Sequence, residues 1–389
     1  MDTLARHALE KLLAAGNRAE AGVTSRAAAL TATQLADYRA LRSLQAKESF
    51  ETTLKDARAR GAIDLVWDDF TQTGFVKRIE LRNITMLATF LGKPTASEQV
   101  EHARQQIASL SEGHPVLRVV VERWTQLKTT RGLGPQDVQD WVDAVRVVNY
   151  ARTRAESTTE DLPLRVASAR VFNDSKRIEK LASPLDVLLV GDVDASRRMP
   201  SEVWQELGMY REEQPVRLAG RVIVKRERVN EVLDTPYTAL AATTIRGLST
   251  QPREIISIEN LTNFHVEARQ RCDENVLLVY TAGMPSPAWR AMYSRLLVDA
   301  KPDTQVYHWG DLDEGGFRIA AVIAAESKLA GHTLKPWRMS PDDVPMELRR
   351  GASEATLMRM RHFACAAGWP DIGDAAVAAG FTVEQEGLI

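Results

Sequence analysis

Cysteine is nearly absent from the 389-residue chain: Cys272 and Cys365 are the only two. Two thiols cannot make a disulfide framework or a four-ligand zinc site, and such usage fits a reducing cytoplasm. No uncharged apolar run is long enough to span a bilayer, and Met1-Asp2-Thr3-Leu4-Ala5-Arg6 has no signal-peptide core. The expectation is a soluble intracellular protein without a membrane partner. A surplus of one charge is also missing, since 50 Lys and Arg stand against 52 Asp and Glu for a net charge of −2. No global positive field advertises nucleic acid, so a polyanion would have to be met by a local basic face.

What is present is an ordinary globular composition, 44% hydrophobic and 26% charged, on a chain long enough for two or three domains. The informative stretch is Val306-Tyr307-His308-Trp309-Gly310-Asp311-Leu312-Asp313-Glu314-Gly315-Gly316-Phe317. It begins like a strand, runs into two carboxylates at i and i+2, and passes through two glycines into the helical composition of Ile319 to Ala325. That order predicts an acidic turn at the carboxyl edge of a sheet, where α/β folds place their chemistry. If the strand pattern persists, Asp311 and Asp313 share a face and can hold a divalent cation between their oxygens. Gly315 and Gly316 would allow a tight turn and close substrate approach. A calcium loop is excluded, because Val322 stands where its bidentate Glu belongs. A phosphatase of the haloacid dehalogenase type is disfavoured by Gly315, two places after the second Asp.

A second acid upstream strengthens the case. Arg253 to Asn260 reads as an apolar strand ending in Glu259, Asn275 to Tyr280 as another, and Pro287 to Leu297 as a helix with Trp289, Met292, Tyr293 and Leu296 on one side. Strand-Glu, strand, helix, strand-Asp-x-Asp, helix is the order of a parallel sheet with crossovers. Glu259, Asp311 and Asp313 would meet at one sheet edge. Three converging carboxylates repel one another unless a cation intervenes, which predicts Mg²⁺ or Mn²⁺.

The remainder is less specific. Residues 1 to 60 are helical in composition, with Lys47 to Arg60 amphipathic around Phe50, Leu54 and Ala57. Two strands, Ile63 to Trp67 and Phe75 to Leu81, would flank a turn at Thr71-Gln72-Thr73-Gly74. Helix then hairpin is the outline of a winged helix, which serves either DNA or protein contacts. Helical stretches at Ile84–Leu91, Glu98–Leu110, Pro115–Leu127 and Gln136–Tyr150 suggest a bundle serving as an arm, closed by a linker from Thr153 to Thr159. His102 and His114 read as surface residues. Asp174 or Ser175 would cap a basic helical turn whose free N–H groups, with Lys176 and Arg177, could meet a phosphate. Arg217, Arg221, Lys225, Arg226 and Arg228 form the densest basic run.

The acids in this order resemble the Toprim domain of topoisomerases, primases and related nucleases. Ile258-Glu259-Asn260-Leu261-Thr262-Asn263-Phe264, Tyr280-Thr281-Ala282-Gly283-Met284-Pro285-Ser286 and His308 to Asp313 are similar to the JetD family. So are Arg170-Val171-Phe172-Asn173-Asp174-Ser175-Lys176-Arg177 and Val383-Glu384-Gln385-Glu386. JetD proteins are the nuclease subunits of Wadjet anti-plasmid systems and are themselves similar to the A subunit of topoisomerase VI. The likeness covers roughly residues 160 to 389.

The element pattern suggests a winged-helix-like domain over 1–92 and a helical arm over 93–155, and the resemblance implies a second winged-helix DNA-binding domain over 156–245 and an α/β Toprim domain over 246–389. Glu259, Asp311 and Asp313 would be the catalytic and metal-binding residues, and Asn260, Gly315, Glu384 and Glu386 would support them. Lys176, Arg177, Arg217, Arg221, Lys225 and Arg226 would grip the DNA backbone by charge. The implied partners are double-stranded plasmid DNA, an SMC-type ATPase, its kleisin and an accessory subunit in a bacterial cytoplasm, with a homodimer suited to cutting two strands. Topoisomerase VI relatives attack DNA with a tyrosine. Here Phe172, Tyr150, Tyr210 and Tyr237 lack the setting of a nucleophile, which favours hydrolysis. A tyrosine transesterase and a noncatalytic DNA-docking subunit are the alternative readings.

Overall fold

Asp2 caps the first helix, its carboxylate accepting the Ala5 N–H at 2.9 Å. The stripe Ala5, Leu9, Leu12 and Leu13 then turns inward. This helix, α1 (Thr3–Glu20), opens a computed structural model that describes residues 1–69 and 74–383. The expected turn residues Thr71, Gln72 and Thr73 lie outside the described residues, as do Glu384 and Glu386. The chain divides into two units, one of Met1–Asp143 with Gly191–Val193 and the other of Ala144–Val190 with Asp194–Ile389.

In the first unit β1 (Ala29–Thr31), α2 (Ala36–Arg39), α3 (Leu44–Ala59), β2 (Ile63–Trp67) and β3 (Val76–Leu81) follow α1. The strands form an antiparallel sheet in the order β1-β3-β2. Helix α3 buries Phe50, Leu54 and Ala57, as its periodicity predicts. Strand β1, at three residues, is too short to display an alternation and escapes sequence reading. Four helices follow: α4 (Ile84–Leu91), α5 (Ala96–Ile107), α6 (Val116–Thr125) and α7 (Val138–Ser157). A reciprocal cap starts α5, where Thr95 Oγ1 accepts the Glu98 N–H and Glu98 Oε2 accepts the Thr95 N–H. Two expectations are corrected here. The linker expected from Thr153 is helical through Ser157. His114 is buried, at 5% exposure, while His102 is at the surface as expected.

The second unit takes in α7 from Ala144 onward and continues with short elements: β4 (Leu162–Pro163), α8 (Leu164–Phe172), α9 (Arg177–Lys180), α10 (Ala182–Val190), α11 (Pro200–Glu206) and β5 (Met209–Tyr210). Strands β6 (Val216–Ala219), β7 (Ile223–Arg226), β8 (Asn230–Val232), β9 (Thr238–Leu240) and β10 (Ile245–Leu248) come next. The series β11 (Glu254–Ile258), α12 (Leu261–Gln270), β12 (Val276–Tyr280), α13 (Pro287–Asp299), β13 (Gln305–Trp309), α14 (Glu314–Leu329) and β14 (Leu334–Pro336) then alternates strand and helix. The chain closes with β15 (Arg350–Gly351), α15 (Glu354–Ala366), α16 (Pro370–Ala379) and β16 (Phe381–Thr382).

The main sheet runs β14-β13-β11-β12-β6-β9, and the fold is mixed α/β. Its first four strands are parallel, as the strand-helix alternation predicts, whereas β6 and β9 are antiparallel. The expectation of a parallel sheet beginning near residue 246 is corrected accordingly. The 216–240 stretch supplies two strands of this sheet, while β7 joins the separate sheet β10-β7-β8. Strand β11 is buried from Ile255 to Ile258 because helices cover both faces, so it reads as a continuous apolar run. Burial of each of its isoleucines contributes about 1.5–3 kcal/mol.

Candidate active site

The register of the parallel strands decides what meets at the rim. Ile258 pairs with both Tyr280 and Trp309, so β11, β12 and β13 end in line. Glu259 is the next residue, its N–H donating to Trp309 O at 3.0 Å. Opposite it, a Cβ on Gly310 would stand 2.8 Å from His308 Nε2 and 2.9 Å from Glu259 Oε2. A side chain there would displace the Glu259 carboxylate or the His308 ring. The Asp311 N–H then donates to Glu259 Oε2 at 3.2 Å.

Asp311 and Asp313 do not belong to β13, which stops at Trp309. Instead, buried Leu312 pairs antiparallel with Val383, exchanging N–H···O bonds of 3.0 and 3.1 Å. That bridge preserves the extended alternation, and the two acids flank the inward leucine. Asp313 is also the N-cap of α14, its Oδ1 accepting the Gly316 N–H at 2.8 Å. Gly316 rather than Gly315 permits the close turn. A Cβ at Gly316 would fall 2.1 Å from Asp311 O, whereas Gly315 is exposed. Asn260 caps α12, its Oδ1 accepting the Thr262 and Asn263 N–H groups.

The carboxylates feel one another. Glu259 keeps some surface toward a cavity but is otherwise enclosed, and burial pushes its carboxyl well above the usual range. Asp311 and Asp313 push in the same direction, against the stabilising Asp311 N–H. Beneath them His308 is fully buried, with Nδ1 2.9 Å from Ser257 Oγ and Nε2 without a hydrogen-bond partner. Burial holds its imidazole neutral, pushed down to about 3.

The cavity at the acids has a volume of about 320 Å³ and is lined by Glu259, Asp311, Asp313 and Glu202, and also by Arg198 and Arg318. Glu202 and Arg198 escaped sequence reading because α11 and its approach carry no motif, and Arg318 because it sits within the apolar run of α14. The one available signal was the Arg197-Arg198 doublet. Arg198 Nε donates to Asp186 Oδ1 at 2.7 Å, its Nη1 donates to Glu206, and Arg318 Nη2 donates to Glu206 Oε2 at 3.1 Å. Burial opposes the charge on Arg198, but Glu206 and Asp186 outweigh it and raise its pKa. Beside the trio, Glu314 is buried against Arg359 Nε at 2.8 Å.

Among the described residues, no group of three or more His, Cys, Asp and Glu side chains stands ready arranged around a metal position. The donor chemistry of Glu259, Asp311 and Asp313 nonetheless suits a hard cation, being all carboxylate oxygen with a charge conflict that a cation would relieve.

The residues expected to grip DNA lie elsewhere, and none lines this cavity. Lys176 and Arg221 are exposed and Arg177 is half-buried. The guanidinium of Arg217 lies 5.4 Å from the Tyr280 ring centroid. Lys225 pairs with Asp299 at 2.9 Å, and Arg226 pairs with Glu231. Both are engaged in intramolecular ion pairs at the surface. The helix end expected to receive a phosphate is corrected. Helix α9 has four residues, begins after Lys176, and has the Lys176 N–H already donating to Asp174 Oδ1 at 2.8 Å. Phe172, Tyr150, Tyr210 and Tyr237 are also absent from the acid cavity. Tyr237 instead stacks on His265, with ring centroids 5.1 Å apart.

Residues 211–358 match the family model described as Wadjet protein JetD, C-terminal. The chain is also 23% identical over 291 residues to the Wadjet protein JetD of Bacillus cereus (strain Q1), covering 70% of this chain and 68% of that protein. The likeness to JetD drawn from the motifs is borne out. The matched segment contains Glu259, Asp311 and Asp313 together with all six strands of the main sheet. No helix among the described residues is long and apolar enough to cross a membrane.

Proposed function

We propose that this chain is a metal-dependent DNA endonuclease, the effector subunit of a Wadjet defence system. One observation carries the reading: Glu259, Asp311 and Asp313, distant in sequence, come to one cavity at the carboxyl rim of the parallel strands. On this reading the main sheet is a Toprim domain, and winged-helix-like parts precede it.

Mg²⁺ or Mn²⁺, held by Glu259, Asp311 and Asp313, would neutralise charge on the phosphodiester and activate water. The chain's own contribution is placement. Gly310 lets the Glu259 carboxylate approach the Asp311 N–H, and the α14 cap fixes Asp313. Glu259, which lines the same cavity as the two aspartates, would orient the attacking water and take its proton. Hydrolysis is favoured over a tyrosine transesterase because no tyrosine lines the cavity. The proposed partners are closed circular DNA, an SMC-type ATPase, its kleisin and an accessory subunit, with a homodimer cutting both strands.

The test is cleavage of closed circular DNA by the full chain with Mg²⁺ or Mn²⁺, against EDTA. Wild type is expected to cut only with metal, and Glu259→Gln not at all. Equal cutting by the variant sinks the reading, and no cutting by wild type under any metal leaves a DNA-docking subunit.

A further inference from the structure

The cavity that holds the acids also has a basic wall, which the roles above leave unused. Arg198 and Arg318 are both largely enclosed, with side chains 13% and 10% exposed. They converge on one carboxylate, Glu206 Oε2, which accepts from Arg198 Nη1 and from Arg318 Nη2. Glu206 and Asp186 do not line this cavity, so they hold the two guanidinium groups from outside it. Arg198 Nη2 is buried and has no hydrogen-bond partner. A buried donor left unmade costs about 1–3 kcal/mol, and because Arg198 lines the cavity, a turn of its guanidinium would offer that donor to an anion oxygen.

Acids alone repel a phosphodiester, while arginines alone would not gather a cation. A cavity lined by both signs suits a ligand that is itself an anion bound with a cation. Guanidinium forks match the two non-bridging oxygens of a phosphate, and prior fixation removes their ordering cost. We infer that Arg198 and Arg318 form a phosphate subsite that receives the phosphodiester on which the acids act, with Glu206 and Asp186 as positioning residues. This inference rests on the nuclease reading and names where its substrate is held.

The experiment measures affinity and salt dependence for a short fluorescein-labelled DNA duplex in EDTA, then cleavage of closed circular DNA with Mn²⁺, all on the full chain. Because the two arginines share Glu206 and Arg198 also holds buried Asp186, charge is removed in pairs: Arg198→Met with Asp186→Asn, and Arg318→Met with Glu206→Gln. Thermal melts select variants that fold as wild type does, and Arg318→Lys keeps the charge without the fork. Each pair is expected to weaken duplex binding by about 3- to 10-fold and to lower the salt slope by about 1. Cleavage is expected to fall by about 100-fold or more, with Arg318→Lys in between. If folded pairs bind and cut like wild type while Glu259→Gln is dead, the subsite is refuted and the nuclease reading stands. If Glu259→Gln cuts normally while duplex binding still depends on both arginines, the nuclease assignment fails and the subsite survives. Duplex binding by wild type that does not depend on either arginine overturns the subsite in every case.

Discussion

The N–H of Asp311 donates to Glu259 Oε2 at 3.2 Å across 52 residues of sequence. A backbone donor from one acidic turn thus steadies the carboxylate of another. The bond opposes the charge conflict without removing it, since Glu259 still holds its proton more tightly than an ordinary glutamate.

Glu259→Gln keeps the shape and removes the conflict. A raised native pKa means the native state retains its proton to higher pH than the unfolded chain. Native stability therefore falls as pH rises through that interval, and wild type bears the cost above it. At pH 8 in EDTA the variant should melt at or above the wild-type temperature by calorimetry. Mn²⁺ should raise the melting temperature of wild type alone, a stabilisation of about 2.7 kcal/mol at a hundredfold excess over its Kd. An equal rise in both proteins would remove Glu259 from the ligand set.

Gly316→Ala places a methyl 2.1 Å from Asp311 O and 2.7 Å from Asp311 N, both backbone atoms. The turn must shift, at about 1–3 kcal/mol, and the Asp313 cap shifts with it. Urea denaturation should register that loss, and cleavage should fall further than stability does. Gly315→Ala, at an exposed position, serves as the mild comparison.

His308 titrates in the unfolded chain near 6.5 but is pushed down to about 3 in the native state by burial. Between those values the unfolded chain binds the extra proton, so stability falls as pH drops below about 6.5. The slope approaches about 1.4 kcal/mol per pH unit from this residue. In urea titrations at pH 7.5 and 5.5, His308→Asn should narrow the difference between the two midpoints. An unchanged difference would show that the imidazole is not shielded as described.

Tyr150→Phe, Tyr210→Phe and Tyr237→Phe should each cut closed circular DNA within about twofold of wild type, because none of these rings lines the acid cavity. No protein–DNA adduct should run on a denaturing gel. A tyrosine-dependent adduct would instead establish transesterification.

The sheet's centre was legible because its signals are local. Glu259 ends an apolar run, Asp311 and Asp313 end another, and helical spacing around Trp289 and Tyr293 fixes the crossover between them. The i and i+2 relation of the two aspartates held for an unforeseen reason, the pairing of Leu312 with Val383, a contact no local pattern reports. Likewise the basic run from Arg217 reads as one surface, yet the fold sends β6 and β7 to different sheets and neutralises Lys225 and Arg226 with Asp299 and Glu231. Arg198, Glu206 and Arg318 were invisible because they meet across 112 residues with no periodicity to announce them.

The placement of β6 beside β12 determines where this molecule can be cut. Leu218 and Ala219 pair with Val279 and Leu278, so a fragment beginning after residue 246 would bare that flank of an apolar strand. Unpaired edges of this kind recruit other chains, and such a fragment should aggregate. A soluble truncation has to begin before Val216.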